Sequence, residues 1–240
     1  MRVSLFIPCL VDQVYPEIGL AMARVLERLG FELHYDQRQT CCGQPAFNAG
    51  HASEARIVAE HFVDVFREAE VIVGPSGSCT AMVRHFYSRL FAGHPMAAAA
   101  ADLSRRVFEF SEFLKQYVPA DRIRGAFSAK VGFHNSCHSY RELGITDEHV
   151  AFLQHIRGLE WIRLPGEPVC CGFGGLFSFK FAPIAETMAK TRLDMFIEAG
   201  CDTLLSNDPG CIMHMRQEVQ ARGLPLRIMH LAELLDRAMA

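Results

Sequence analysis

Two Cys-Cys-Gly triplets constrain this chain more than any other feature: Cys41-Cys42-Gly43 and Cys170-Cys171-Gly172, each framed by an upstream and a downstream cysteine. Cys9, the Cys41-Cys42 pair and Cys79 recur as Cys137, the Cys170-Cys171 pair and Cys211, at offsets of 128, 129 and 132 residues. Flanking residues keep the same spacing. Val3–Cys9 lies over Val131–Cys137, and Val71-Ile72-Val73 lies over Thr203-Leu204-Leu205. Self-similarity at a fixed period marks an internal duplication. The repeat predicts two units, residues 1–122 and 123–240, dividing where helical periodicity lapses between Pro119 and Ser128.

Each unit alternates strand and helix. Val3–Ile7 reads as a strand, and Ile18, Met22, Val25, Leu26 and Leu29 then fall on one helical face closed by Gly30. A strand over Phe31–Tyr35, a helix marked by Val58, Phe62, Val65, Phe66 and Ala69, and a strand over Val71–Val73 follow. Met82, Val83, Phe86, Tyr87 and Leu90 mark one more helix. The second unit offers helical stripes at Ile184, Met188, Met195, Phe196 and Ala199, and at Leu231, Leu234 and Leu235. These apolar stripes are core. The alternation implies an α/β fold of two pseudo-symmetric lobes, each a mainly parallel sheet flanked by helices.

That fold places the cysteines. Cys9, Cys79, Cys137 and Cys211 each fall just past a predicted strand, and both doublets fall in strand-to-helix loops. Open parallel sheets bind ligands at that edge, where neighbouring connections diverge. Helix amino termini following Cys79 and Cys211 would favour thiolate or another anion there. The two clusters are therefore expected near the lobe interface.

A vicinal cysteine pair makes a poor disulfide. Adjacent Cα atoms stand ~3.8 Å apart, and disulfides need roughly 4.4–6.8 Å. Two soft thiolates side by side instead suit an iron–sulfur cluster, zinc or copper(I). Each unit supplies four, enough for one four-coordinate site, and Gly43 and Gly172 let the backbone turn tightly beside it. Nine cysteines in a chain of 240 residues cannot all pair, which also argues against a disulfide framework.

Composition narrows the partners. With 24 Lys and Arg against 27 Asp and Glu, and no basic stripe, nucleic acid is not expected. No apolar run reaches the ~18 residues of a membrane helix, and the opening residues break at Pro8 without a signal-peptide cleavage pattern. A cytoplasmic location is the expectation.

These motifs resemble the cysteine-rich (CCG) domain family, found in a subunit of heterodisulfide reductase and in the iron–sulfur subunits of glycolate oxidase and anaerobic glycerol-3-phosphate dehydrogenase. The resemblance is nearest to the two-domain lactate utilisation protein A group. It covers almost the whole chain and rests on Ile7-Pro8-Cys9, Thr40–Pro45, Gly74–Cys79, His134–His138, Cys170–Gly175 and Asp208–Cys211. It implies a [4Fe–4S]-type cluster, one or two per chain, held by Cys9, Cys41, Cys42 and Cys79 and by Cys137, Cys170, Cys171 and Cys211. It also implies electron transfer as a non-autonomous subunit of an oxidoreductase, working with companion subunits of an iron–sulfur system that oxidises L-lactate to pyruvate. The chain departs from the family's full motif, which ends in Cys-x-x-Cys. The first of those positions is Ser76 in one unit and Asp208 in the other, so five-cysteine ligation is impossible and these two become candidate oxygen ligands.

Two other classes of function remain open: a zinc-binding scaffold with closed, redox-silent four-thiolate sites, and a metal-free thiol–disulfide oxidoreductase with an exposed low-pKa thiol. Among single residues, Cys201 lies outside the repeat and is expected as a buried small hydrophobe. His134 and His138 bracket Cys137 and are expected to support the site rather than to ligate, since the first unit carries Phe6 and Leu10 there. His51, His214 and His230 are expected at helix ends or on the surface. Gly172-Phe173-Gly174-Gly175 lacks the spacing of a dinucleotide loop, and no Ser, His and Asp grouping stands out.

Overall fold

The computed structural model describes residues 1–146, 150–164 and 169–240. It contains two four-stranded sheets. The first comprises β1 (Arg2–Leu5), β2 (Glu32–His34), β3 (Ile72–Gly74) and β4 (Val107–Glu109), in the order β2-β1-β3-β4. The second comprises β5 (Gly125–His134), β6 (Ile156–Trp161), β7 (Thr203–Ser206) and β8 (Arg227–His230), in the order β6-β5-β7-β8. Every pairing is parallel, and helices connect successive strands. The two sheets share one topology, as a duplicated sequence requires.

The register explains why the strands stay short. Ser4 and Leu5 pair with Ile72 and Val73, and Ile72 and Val73 with Val107 and Phe108. These central strands are buried on both faces, so they read as short, mostly apolar runs, with Ser4 as a buried polar position. β4, β6 and β8 were not evident in the sequence. β4 has only three residues, too few to show a period, and β6 carries Arg157 and Glu160 among its apolar positions. β5 also starts earlier than Val131, where the repeat placed it. Its first half pairs only with the outer strand β6, so no alternation or apolar run marks it.

Helices in each lobe bury one stripe on a sheet. Helix Pro16–Arg28 presents Ile18, Met22, Val25 and Leu26, has Pro at its first turn, and is followed by Gly30 in the left-handed conformation. The helices after β4 and β8 both open with a capping box, Glu109 with Glu112 and His230 with Glu233.

The lobes are not independent. One apolar cluster runs through both, from Val3, Met22 and Phe113 to Val131, Leu231 and Leu235. The last helix, Leu231–Ala238, lies on helix Pro16–Arg28, where Asp236 accepts from Arg24 at 2.6 Å and from Arg28 at 2.8 Å. Among the described residues no helix is long and apolar enough to cross a membrane.

Candidate metal centre

In each sheet the connections diverge on either side of the two central strands, and that switch point is the usual ligand crevice of a parallel sheet. Cys9 begins helix Cys9–Val14 directly after β1, and Cys79 lies in helix Gly77–Ala81 after β3. Cys137 begins helix Cys137–Arg141 after β5, and Cys211 lies in helix Pro209–Arg222 after β7. The helices start two residues before Cys79 and Cys211, not after them as expected. Their sulfurs therefore belong to the first turn, beside the partial positive charge of free backbone N–H groups.

The doublets complete each group. Cys9 and Cys41 sulfurs are 3.5 Å apart, and Cys171 and Cys211 sulfurs 3.0 Å apart. The four thiols of each lobe also perturb one another in the order Cys9, Cys41, Cys42, Cys79 and Cys137, Cys170, Cys171, Cys211, as close neighbours do. Residues about 70 positions apart in sequence thus share one nest of sulfur.

Glycine at the third triplet position is required by shape. Gly43 and Gly172 have φ of +87° and +88°, the left-handed region. A Cβ would also stand 2.9 Å from the Ala55 carbonyl oxygen in one lobe and 2.5 Å from that of Ala185 in the other. The turn they allow aims the N–H of Gly43 at the Cys41 sulfur and that of Gly172 at the Cys170 sulfur, both at 3.4 Å.

These bonds divide the protons unequally. Cys41 is held well below the ordinary thiol range because Cys42 and Cys9 donate to its sulfur, with the Gly43 N–H adding to them. Cys170 is lowered in the same way by Cys137 and Cys171, with the Gly172 N–H. Cys9 and Cys137, the donors, are pushed up by those bonds and by burial. Without metal, each quartet thus centres on one thiolate, the first cysteine of its doublet. Iodoacetamide should modify Cys41 and Cys170 at a rate nearly flat from pH 5 to pH 8, whereas an ordinary thiol gains about tenfold per pH unit below its pKa. The rates will be modest, because nucleophilicity falls with pKa. Peptide mapping after labelling the metal-free chain at several pH values checks this; a rate at these two sites that climbs tenfold per unit would contradict it.

All eight cysteines line a single cavity of about 470 Å³ between the lobes. Its walls are reciprocal: the helix carrying Cys79 packs on the helix carrying Cys137, and the helix carrying Cys9 packs on that carrying Cys211. Gly77 has no room for a side chain, since a Cβ would fall 1.7 Å from the Ser139 hydroxyl across this seam.

Ser76 and Asp208 line the same cavity but are engaged as helix caps. Ser76 Oγ accepts from the Cys79 N–H at 3.3 Å. Asp208 Oδ1 accepts from the N–H groups of Gly210 and Cys211 at 3.0 and 3.4 Å, and Oδ2 from the Ser78 N–H at 2.8 Å and the Ser76 hydroxyl at 3.3 Å. Each carboxyl oxygen thus accepts two bonds, which uses the lone pairs a metal would need. Ser and Asp are strong N-cap formers, and that is the role they fill where the fuller motif has cysteine.

The histidines divide. His134 is fully buried with a ring nitrogen within 4.8 Å of the Cys171 and Cys211 sulfurs. His138 lines the cavity and pairs with Glu142 at 3.3 Å. His51 is exposed at a helix start. Of the other two, expected at helix ends or on the surface, His230 is at a helix end and His214 is at neither. His214 lies buried inside a helix with Nε2 3.1 Å from the Ala185 carbonyl, and His230 is a fully buried cap. Cys201 is buried beside Phe196 and Leu204, as a small hydrophobe, and burial pushes its thiol up to about 11. Sequence reading missed Arg192, 3% exposed, whose Nε donates to His134 Nδ1 at 3.0 Å.

Lactate utilization protein A of Halalkalibacterium halodurans is 40% identical over 237 residues, covering 98% of this chain and 97% of that protein. The proteins of the same name from Geobacillus kaustophilus and Bacillus subtilis are 39% and 37% identical, each covering 98% of this chain and 99% of their own length. By backbone shape the chain has a weak likeness to glutamate racemase RacE1 of Bacillus anthracis, with a TM-score of 0.36 and 13% identity over 98% of this chain and 79% of that one. The model of the CCG cysteine-rich domain matches twice, over residues 3–84 and 131–216, and the chain belongs to that family.

Proposed function

We propose that this chain is an iron–sulfur electron-transfer component of an L-lactate-oxidising system, holding one cluster in each cysteine quartet and acting with companion subunits. The observation that carries the reading is the pair of four-sulfur nests opening on one cavity of about 470 Å³. The donor set fits the group. It is all soft sulfur, four per site, with one thiol in each held below the ordinary range by its neighbours. A bound cluster would supply single-electron storage, and two of them facing one cavity would allow an electron to pass between lobes. The residues' task is to hold sulfur, exclude competing oxygen ligands and leave the cavity side open. Lactate enters through the name carried by relatives that match this chain end to end.

Zinc is the second reading, favoured by one observation. The Cys9–Cys41 sulfur pair at 3.5 Å is close to the edge of a tetrahedron with zinc–sulfur bonds of ~2.3 Å, which is roughly 3.8 Å, and the Cys171–Cys211 pair at 3.0 Å is shorter still. A cluster would require the sulfurs to spread. Structural zinc sites are closed, however, and these nests border open space into which the sulfurs can move.

Deleting the gene in its host tests the physiological role. Growth on L-lactate as sole carbon source should be lost and growth on pyruvate kept, with rescue by the wild-type gene. Undiminished growth on L-lactate would overturn the assignment.

A further inference from the structure

The two cysteine sites are related by duplication but rest on different floors. Gly43 lies over the Ala55 carbonyl and Gly172 over that of Ala185, which sets the helices in register. Seven residues on, that register places Phe62 opposite Arg192, while Phe6 and His134 end the equivalent strands. In the first lobe Phe6 and Phe62 meet edge to face at 4.8 Å. In the second, the same two positions hold a hydrogen-bonded His134–Arg192 pair, 0% and 3% exposed.

Two features of that pair point to an anionic occupant above it. First, Arg192 is a buried cation with no carboxylate bound to it among the described residues. Its other contacts are the Phe133 carbonyl at 3.3 Å, the Met195 sulfur at 3.6 Å and the Phe196 ring at 4.8 Å. A buried charge is strongly unfavourable without compensation, and the groups that can offset it when ionised are the thiols of Cys171, Cys211 and Cys201. Second, His134 Nε2 is buried with no partner among the described residues. Guanidinium has donors only, so His134 Nδ1 must be the acceptor, and the neutral ring carries its proton on Nε2. Metal-bound histidines almost always show the opposite arrangement, donating from the second nitrogen. Closeness to Cys171 and Cys211 therefore does not make His134 a ligand.

We propose that His134 and Arg192 are positioning residues that give the second cysteine site an N–H donor and a buried positive charge absent from the first, so that the second site has the higher reduction potential. This rests on the cluster reading above. Adding one electron makes a cluster more negative, and a free N–H donor and a cation close to the site stabilise that reduced state. An electron shared between the sites thus rests on the second, with no proton transferred.

The test is a redox titration of the anaerobically iron-loaded chain, followed by absorbance and electron paramagnetic resonance. Wild type should give two separate one-electron midpoints. The double variant His134→Phe/Arg192→Phe, which installs the first lobe's pair, should lower only the upper midpoint, by about tenfold in the reduction equilibrium or ~59 mV. His134→Gln, which keeps an N–H donor and does not orphan Arg192, should stay near wild type and serves if the double variant fails to fold. Coincident wild-type midpoints, or equal shifts of both, would overturn the proposal. Nitrogen-15 resonances of His134 in the metal-free and zinc-loaded chain decide the tautomer separately. Nε2 should remain protonated in both, and loss of that proton on zinc loading would make His134 a ligand and sink the idea. Failure of wild type to take up iron would instead remove the cluster reading, and with it the claim about potentials.

Discussion

Cys170→Ala is expected to let a competing chelator strip half of the metal bound per chain, that of the second site, at concentrations that leave the first intact. Cys170 is the centre of its quartet, the sulfur flanked by the Cys137 and Cys171 thiols and reached by the Gly172 N–H. Four-thiolate sites contribute ~10–16 kcal/mol of apparent binding free energy at neutral pH. Losing one of four ligands then removes ~3 kcal/mol, which corresponds to an affinity on the order of 100-fold weaker. The Cys9–Cys41 and Cys171–Cys211 sulfur contacts each stay within one quartet, so Cys41→Ala should produce the mirror result. Metal analysis of both variants checks this, with the metal-free melting temperature as a control. Cys170 is only partly buried, and its loss should leave that temperature nearly unchanged. If either variant emptied both sites, the eight sulfurs would form one shared centre.

Asp208→Ala should be among the most destabilising single changes on the cavity wall. It strips the acceptor from three backbone N–H groups and one hydroxyl. An N-cap alone is worth ~1 kcal/mol, and each buried donor left without a partner costs about 1–3 kcal/mol. Some donors will recover water from the cavity, so a loss of ~3–5 kcal/mol is expected. In a chain of this size that lowers the melting temperature by roughly 6–20 °C. Asp208→Asn keeps one capping oxygen and should lose less than half as much. If Asp208→Ala instead left the metal-free melting temperature unchanged and lowered only metal binding, its carboxyl would be a ligand and not a cap.

The cysteine pattern made the site legible before any coordinates. Soft ligands repeated at matched spacing identify a centre whatever the surrounding fold, and strands ending at Cys9, Cys79, Cys137 and Cys211 predict convergence at a sheet edge. Apolar runs such as Val71-Ile72-Val73 made the central strands equally plain. The outer strands β4, β6 and β8 were not, because each is only three to six residues long and carries charged residues (Glu109, Arg157 and Glu160, Arg227) among its apolar positions. Nor were the roles of Ser76 and Asp208, since the same oxygen can cap a helix or bind a metal and only the hydrogen-bond geometry decides. His214 and His230 illustrate a second limit. Position along a helix does not reveal which polar side chains the fold will bury. Arg192 could have been found by aligning the two units residue by residue, for a charged residue opposite Phe62 breaks an otherwise apolar stripe.

The most direct measurement is elemental analysis of the chain purified without oxygen. Brown protein with iron and acid-labile sulfide in a one-to-one ratio, zinc-free, is the expected result, and conversion of both quartets to alanine should abolish the colour. Colourless, redox-silent protein carrying zinc alone would contradict an electron-transfer role.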